Sequence, residues 1–266
     1  MTKNLTFCHP GSFGDTIYSL IAIKLMGGGD FYVKLHGMNE LSWNAFGQVT
    51  AGIHAGRYTK EDIDFLFPLL EKQSYIKKLA LWRNEHIDYD LGTHYKWTVP
   101  TGWHGNQTEC YGLVCGIDIK KYRKELVLDP WLDPVEPIKI PGRPFVINRT
   151  DRYLGTPDKN NDTWKEWVDQ GLSDYAVFVG TEQECEDFNR KFDCRIPYQK
   201  VEDMLELARI IQGCEQFMGN QSMPLSVAIG LGKTFCCEIR KDFDHYRTPT
   251  GELGDVWFPR INGHYF

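Results

Sequence analysis

The stretch Phe7–Ile23, FCHPGSFGDTIYSLIAI, decides the fold of the N-terminal half of the chain. A short apolar segment stops at His9–Gly11, as a buried strand does where it enters a turn. After Gly14, apolar residues recur on one side of a helix that ends at Gly27–Gly29. An aromatic and β-branched run of strand type, Phe31–His36, follows. This order of strand, loop, helix and strand predicts a βαβ unit, and such units build parallel sheets.

The same alternation returns in the second half, after a proline-rich segment. Leu128–Pro144 holds five prolines, which is typical of an interdomain linker. We therefore predict an α/β protein with two Rossmann-like lobes facing a cleft, residues 1–134 on the acceptor side and residues 135–266 binding the nucleotide sugar. The strands expected in the second lobe are Pro144–Asn148, Tyr175–Val179, Gln216–Gly219 and Phe235–Ile239, the last of the chain.

Composition excludes several classes of protein. The 266 residues carry a formal net charge of -6, so nothing indicates general attraction to nucleic acid or to anionic membranes. We find no targeting segment and no apolar run long enough to span a membrane, which predicts a cytoplasmic protein. The eight cysteines lack paired metal-ligand spacing, so we expect free thiols and no metal site.

Asp15 is the candidate catalytic residue. Its loop, Gly11–Asp15, matches neither of the common nucleotide-binding fingerprints. One interpretation is structural: Asp15 is a helix cap, or it is the acid of a capping box with Ser12. The other is a general base, because a carboxylate on a glycine-lined loop can approach a substrate hydroxyl closely. The sequence leaves both interpretations open.

The turn Gly219–Pro224 is the candidate phosphate-binding element. It lies between a short strand and a helix whose first turn accepts proline. Backbone N–H groups and the positive end of the helix dipole suit a diphosphate there. An ordinary turn capped by Ser222 is the alternative. The candidate residues are Asn220, Gln221, Ser222 and Met223.

Further donor-binding candidates follow other strand ends. Cations in the loop after the first strand of the second lobe would stabilise a departing diphosphate, unless they are simply solvated. An acid after the next strand could take ribose hydroxyls, unless it is only a surface residue of a helix. Two residues of the loop Gly11–Asp15, Ser12 and Gly14, are added to this set. The full set of candidates is Ser12, Gly14, Arg149, Arg152, Lys159, Gly180, Thr181 and Glu182.

The segment Thr93–Gly112 is rich in aromatic residues, histidine and glycine and shows no clean period. It either fills a loop-rich lobe or forms an acceptor-binding wall, since aromatic faces pack against sugar rings and bases. The acceptor candidates are Trp97, Trp103 and His104. A modified-base DNA acceptor is conceivable through the basic residues of 120–124, although such a cluster in an acidic protein is more often a solvated face.

Three segments together resemble a known family. Gly14-Asp15 after an N-terminal strand, Phe178–Glu182 at a strand end, and Leu205–Thr234 are similar to the heptosyltransferases of the ADP-heptose:lipopolysaccharide type. The resemblance implies the GT-B fold and metal-independent, inverting sugar transfer from a nucleotide-diphosphate donor, with no other cofactor. It also implies that Asp15 is the catalytic base and that Ser222 is the hydroxyl residue of the phosphate-binding turn.

The sequence departs from that family around the phosphate-binding turn. Where the family has an acid, a glycine and a histidine, this chain has Gln221, Met223 and Ser226. The donor sugar is therefore open, as is the acceptor, which we expect to be a glycan or another hydroxyl-bearing molecule. Two alternatives to a glycosyltransferase also stay open: a nucleotide-sugar epimerase of the same fold, and a non-catalytic nucleotide- or glycan-binding protein.

Overall fold

The computed structural model describes residues 3–36, 42–43, 49–50, 56–94, 107–151, 157–238 and 263–265. Within these ranges the chain forms two compact units, one ending at Asp133 and the other beginning at Pro134. Each unit is built on a sheet of parallel strands with helices between them. The predicted α/β class is therefore confirmed.

The first unit contains a four-stranded parallel sheet in the order β5-β2-β1-β6. A small antiparallel pair, β3 with β4, lies between β2 and β5 in the order of the chain. The strands are β1 (Leu5–His9), β2 (Gly29–Val33), β3 (Ser42–Trp43), β4 (Val49–Thr50), β5 (Ile76–Leu81) and β6 (Tyr89–Asp90); the helices are α1 (Phe13–Leu25), α2 (Lys60–Leu70), α3 (Gln107–Val114) and α4 (Arg123–Val127).

Helix α1 is enclosed by the first unit. Every residue of Thr16–Ile23 is buried, so this helix is packed on all sides rather than along one stripe. Trp131, itself buried, donates from its indole nitrogen to the carbonyl oxygen of Ile17 at 2.8 Å. The helix ends as predicted at glycines with positive φ, Gly27 and Gly28. Burial on all sides fixes α1 from Thr16 onward within the first unit.

Helix α3 begins within the aromatic segment Thr93–Gly112, which shows no clean period in the sequence. Its residues Gln107–Gly112 are all buried, so no polar stripe alternates with an apolar one. Without alternating polar and apolar residues, a helix cannot be recognised from the pattern of the sequence. The missing period therefore hides a helix in this segment, and α3 packs against α1.

The second unit contains a five-stranded parallel sheet in the order β11-β10-β9-β7-β8. This is a doubly wound arrangement, whose strand order reverses between β7 and β9. The strands are β7 (Phe145–Asn148), β8 (Ala176–Phe178), β9 (Gln216–Asn220), β10 (Phe235–Glu238) and β11 (Gly263–Tyr265); the helices are α5 (Pro157–Asp169), α6 (Leu172–Tyr175), α7 (Glu182–Phe192), α8 (Met204–Gly213) and α9 (Met223–Gly230).

Helix α5 begins at Pro157, because proline is well suited to the first helical position, although the polar residues that follow hide the apolar period of the helix. One prediction for this unit needs correction. Strand β11 was missed, since three residues are too short to show a strand pattern, and β10 is therefore not the last strand.

A buried ion pair joins the ends of two strands in the second unit. Arg149, just after β7, donates from Nε to Oε2 of Glu238 at 2.6 Å and from Nη2 to Oε1 at 2.9 Å. Trp164 of α5 donates to the same carboxylate at 2.9 Å. Arg149 is 6% exposed and Glu238 is fully buried. This pair ties β7, β10 and α5 together at the carboxyl edge of the sheet.

Breaking this pair on one side should destabilise the protein strongly. In Glu238→Gln the guanidinium of Arg149 stays buried without its counter-charge, which costs about 3–5 kcal/mol. We expect the double variant Arg149→Met with Glu238→Leu to be more stable than this single variant, because it leaves no lone buried charge. Urea unfolding measures all three proteins.

The matched control is Asp187→Asn, which breaks the exposed Arg190–Asp187 pair. Exposed pairs contribute about 1 kcal/mol or less, so this variant should unfold close to the wild type. If Glu238→Gln cost no more than the control, the buried pair would not hold the unit together.

Candidate functional site

The strand order of the first sheet reverses between β1 and β6. In open α/β sheets, ligands bind beyond the carboxyl ends of the strands at such a reversal. The loops after these two strands lie in close contact: a Cβ atom added to Gly92 would lie 2.5 Å from Cγ of Pro10. The turn that carries Asp15 begins at this point of the sheet edge.

The turn between β1 and α1 has an unusual backbone. Ser12 adopts φ 73° and ψ 116°, a region that residues with a Cβ atom rarely occupy. Gly11 has φ 144°, and a Cβ atom there would lie 2.6 Å from Cβ of Arg57. Strained residues of this kind collect at functional sites when the surrounding structure holds them in place. The turn is therefore a candidate catalytic element on grounds independent of Asp15.

Asp15 lies in the first turn of α1, and the side chain of Ser12 makes no cap hydrogen bond there. Among the described helices, α2 shows what the alternative would look like: Thr59 and Asp62 form a complete capping box. No such box forms between Ser12 and Asp15, which are both described residues. A capping box with Ser12 therefore does not explain Asp15.

Gln107 contacts Asp15 directly. Its side-chain amide donates a hydrogen bond to Oδ1 of Asp15, although the two residues are 92 positions apart in the chain. Gln107 is 4% exposed and is the first residue of α3. The carboxylate thus lies at the starts of two helices, where both helix dipoles favour a negative charge. Gln107 carries no signal in the sequence, because only the packing of α3 against α1 brings it to Asp15.

In the second unit, Asn220 joins the loops at the strand-order reversal. Its Oδ1 accepts from the backbone N–H of Thr150 at 3.1 Å, and its Nδ2 donates to the carbonyl of Thr150 at 2.6 Å. Asn220 is buried at the end of β9, and Thr150 follows β7. Gly219 allows this approach, because a Cβ atom there would clash with the carbonyl oxygen of Asn148. Asn220 therefore shapes the turn as a structural bridge.

The turn predicted to bind phosphate leads into the start of α9. Ser222 precedes the helix and makes no side-chain cap hydrogen bond; its hydroxyl donates instead to the carbonyl of Asn220 at 3.2 Å. Met223 and Pro224 are the first two helical residues. Helix geometry leaves the first N–H groups without partners inside the helix, so they point outward toward any anion. Gln221 beside them is buried.

The predicted cations differ in their placement. Arg149 is bound by Glu238, so its charge is largely balanced inside the unit. Lys159 belongs to α5, and its side chain is outside the described part of the structure. Arg152 lies outside the described residues altogether, as do Trp97, Trp103 and His104. Their proposed ligand contacts stay predictions.

The residues after β8 have structural partners. Gly180 has φ 127°, and a Cβ atom on it would lie 2.5 Å from Nδ2 of Asn148. Thr181 accepts from the backbone N–H of Glu184 at 3.1 Å and so caps α7. Glu182 is exposed at the first position of that helix. Of the three, Glu182 has the side chain best placed to meet a ligand from solvent.

Within the described ranges we find no group of three or more histidine, cysteine, aspartate or glutamate residues that could hold a metal ion. None of the helices in those ranges is long and apolar enough to cross a membrane. None of the eight cysteines, all of which lie in the described ranges, forms a disulfide. Arg123, from the basic cluster considered for DNA, lies 3.7 Å from the carboxylate of Glu109.

No protein-family profile matches the sequence, and no curated protein matches it either. Solved structures do match the fold. A glycosyl transferase family 9 protein from Veillonella parvula DSM 2008 is 10% identical with a TM-score of 0.55, covering 100% of this chain and 86% of its own. The E. coli heptosyltransferase WaaC with ADP is 9% identical with a TM-score of 0.54, covering 99% of this chain and 92% of its own.

A third similar structure is the iron-containing dodecameric glycosyltransferase TibC from enterotoxigenic E. coli H10407. It is 11% identical with a TM-score of 0.52; the match covers 96% of this chain and 62% of TibC. Identities this low leave little in common beyond the packing of helices and strands. The comparison shows that this chain has the two-lobe α/β fold of the glycosyltransferase family 9 and heptosyltransferase structures.

Proposed function

We propose that this protein is a glycosyltransferase that moves a sugar from a nucleotide-diphosphate donor to an acceptor hydroxyl. The observation that carries the proposal is Asp15, on a strained turn at the strand-order reversal of the first sheet. Its carboxylate is oriented by Gln107 and is not part of a capping box with Ser12. The shared fold with glycosyltransferase structures supports the same reaction class.

In the proposed reaction Asp15 is the general base. It removes the proton of the acceptor hydroxyl while that oxygen attacks the anomeric carbon of the donor sugar. The bond from that carbon to the diphosphate oxygen breaks on the opposite face, so the configuration inverts. The products are the glycosylated acceptor and a nucleoside diphosphate, and the proton rests on Asp15. General base catalysis of this kind contributes roughly 10²- to 10⁴-fold.

The donor diphosphate would bind at the start of α9. Backbone N–H groups of the first turn and the helix dipole stabilise the charge that develops on the leaving group. We propose that this stabilisation serves in place of a metal ion. Arg149 would support the site indirectly, because its ion pair with Glu238 holds the loop after β7. Since a similar structure contains ADP, ADP-sugars are the first donors to test.

A thermal-shift screen identifies the donor. The free protein is heated with ADP, UDP, GDP and CMP and with sugars carried on each. A ligand that binds only the folded state raises the melting temperature by mass action. We expect one nucleotide class to raise it and the others to leave it unchanged; no shift with any of them would contradict a nucleotide-sugar site.

Asp15→Asn should abolish transfer while the protein still binds its nucleotide. The amide has the shape of the carboxylate but cannot accept the hydroxyl proton, so we expect turnover to fall by about 10²-fold or more. The release of nucleoside diphosphate is measured across a panel of hydroxyl-bearing acceptors, and nucleotide binding by calorimetry.

The matched control for that variant is Asp64→Asn, an exposed aspartate on α2. It should turn over at the wild-type rate. Wild-type turnover in Asp15→Asn would refute the general base. If the wild-type protein bound nucleotide but never consumed a donor, it would instead be a non-catalytic binding protein. Gln221 at the turn is the feature that supports this alternative.

Met223→Pro tests the backbone amides of α9. Proline suits the first helical position, yet it removes one N–H. Met223→Ala also loses the side chain but keeps the N–H and is the control. Because a hydrogen bond to a charged group contributes about 1.5–3 kcal/mol, we expect the proline variant to bind nucleotide roughly 10-fold or more weakly than the alanine variant. If calorimetry gave equal nucleotide affinities for the proline and alanine variants, the backbone N–H of Met223 would not contact the nucleotide.

A further inference from the structure

Three buried side chains beneath the turn of Asp15 form a hydrogen-bonded chain. The hydroxyl of Tyr58 lies 2.7 Å from Oγ1 of Thr16, and Oγ1 of Thr16 lies 2.9 Å from Nδ1 of His9. The backbone N–H of Gly11 also donates to Nδ1 of His9, at 3.2 Å. The chain therefore connects the end of β1, the first turn of α1 and the segment around Tyr58.

The direction of these hydrogen bonds follows from the contacts. Because Nδ1 of His9 accepts from Gly11, that nitrogen carries no proton, and the hydroxyl of Thr16 must donate to it. Thr16 in turn accepts from the phenol of Tyr58. Burial raises the pKa of Tyr58 far above its ordinary value, so the phenol keeps its proton and remains a donor. Tyr58 thus donates to Thr16, and Thr16 donates to His9.

Tyr58 is a fixed end of this chain. Its carbonyl accepts from the backbone N–H of His36 at 2.8 Å, and the neighbouring Arg57 donates from its backbone N–H to Pro10 at 2.7 Å. Tyr58 is also bridged to Leu35 in a parallel arrangement. The segment is held by the extension of β2 on one side and by the strained turn on the other.

Thr16 follows Asp15 directly, and its backbone N–H makes the first helical bond to the carbonyl of Ser12 at 2.9 Å. Thr16 therefore bonds through its backbone to the strained residue Ser12 and through its side chain to His9, which precedes the turn. A strained conformation persists only where several surrounding contacts hold it in place. Thr16 supplies such contacts at the point where α1 and the turn meet.

We propose that Thr16 is a positioning residue for Asp15: its hydroxyl, bridging Tyr58 and His9, fixes the first turn of α1 so that the carboxylate meets the amide of Gln107. The assignment of Asp15 as a base rests on the proposed function, whereas the positioning itself does not. Thr16 touches no substrate; it acts only through the placement of the Asp15 carboxylate.

The kinetic test compares Thr16→Val with Thr16→Ser. Valine has nearly the shape of threonine but leaves the Tyr58 hydroxyl and His9 Nδ1 without their shared partner, whereas serine keeps the hydroxyl. A displacement of about 1 Å can cost 10²-fold in rate, so we expect kcat of the valine variant to fall roughly 10- to 100-fold. KM for the donor should not change, because the donor contacts are untouched. The serine variant should recover most of the rate.

The control is Thr6→Val at the opposite end of β1. The hydroxyl of Thr6 donates to the carbonyl of His86 at 3.0 Å, so this variant also loses a hydrogen-bonded threonine hydroxyl from the same strand-and-helix unit. We expect a lower melting temperature and wild-type kcat. If Thr6→Val and Thr16→Val lowered kcat alike, Thr16 would have only a structural role.

A second measurement is independent of turnover. The side-chain amide resonances of Gln107 in ¹⁵N NMR spectra report its bond to Asp15, and Asp15→Asn identifies the shift caused by losing the charged partner. We expect Thr16→Val to move these resonances in the direction of Asp15→Asn, and Thr16→Ser and Thr6→Val to leave them in place. Unmoved resonances in folded Thr16→Val would overturn the inference, even if the protein proved not to be a glycosyltransferase. A wild type with no turnover would refute the proposed function alone.

Discussion

Parallel strand pairing is the constraint on which this structure depends. Because all strands of a parallel sheet point the same way, the residues that follow them meet at one edge, however far apart they lie in the sequence. In the first unit the pairing of β1 with both β2 and β6 places the Asp15 turn at the reversal of strand order. In the second unit the pairing of β7 with β8 and β9 does the same for the turn before α9.

The charged side chains at the carboxyl edges of the two sheets have different partners. In the second unit the guanidinium of Arg149 and the carboxylate of Glu238 neutralise each other out of contact with water, so they serve the shape of the loops. In the first unit Asp15 is only half-buried and is paired with a neutral amide, that of Gln107. The charged side chains of the second edge therefore hold its loops together, whereas the carboxylate of Asp15 accepts from a neutral donor at the edge where the proposed reaction takes place.

Agreement in fold at about 10% identity has a physical basis. The layers of this architecture need apolar residues at strand and helix faces, and many residue combinations fill such layers equally well. The polar residues at strand ends are not required by that packing. This is why the fold can be shared with glycosyltransferase structures although few residues are identical. The proposed donor and acceptor therefore depend on this chain's own residues.

The sequence by itself determined the α/β class, the principal strands of both sheets and the two turns that carry Asp15 and Ser222, because strand runs, glycines and helix starts are local patterns. Only the tertiary structure decided what those residues contact. Gln107 reaches Asp15 through the packing of α3, a buried helix without an amphipathic period. Arg149 was predicted to bind a diphosphate from its charge and position, yet its partner Glu238 lies 89 residues away at the end of another strand. Such pairings depend on strand order, which no local pattern in the chain encodes.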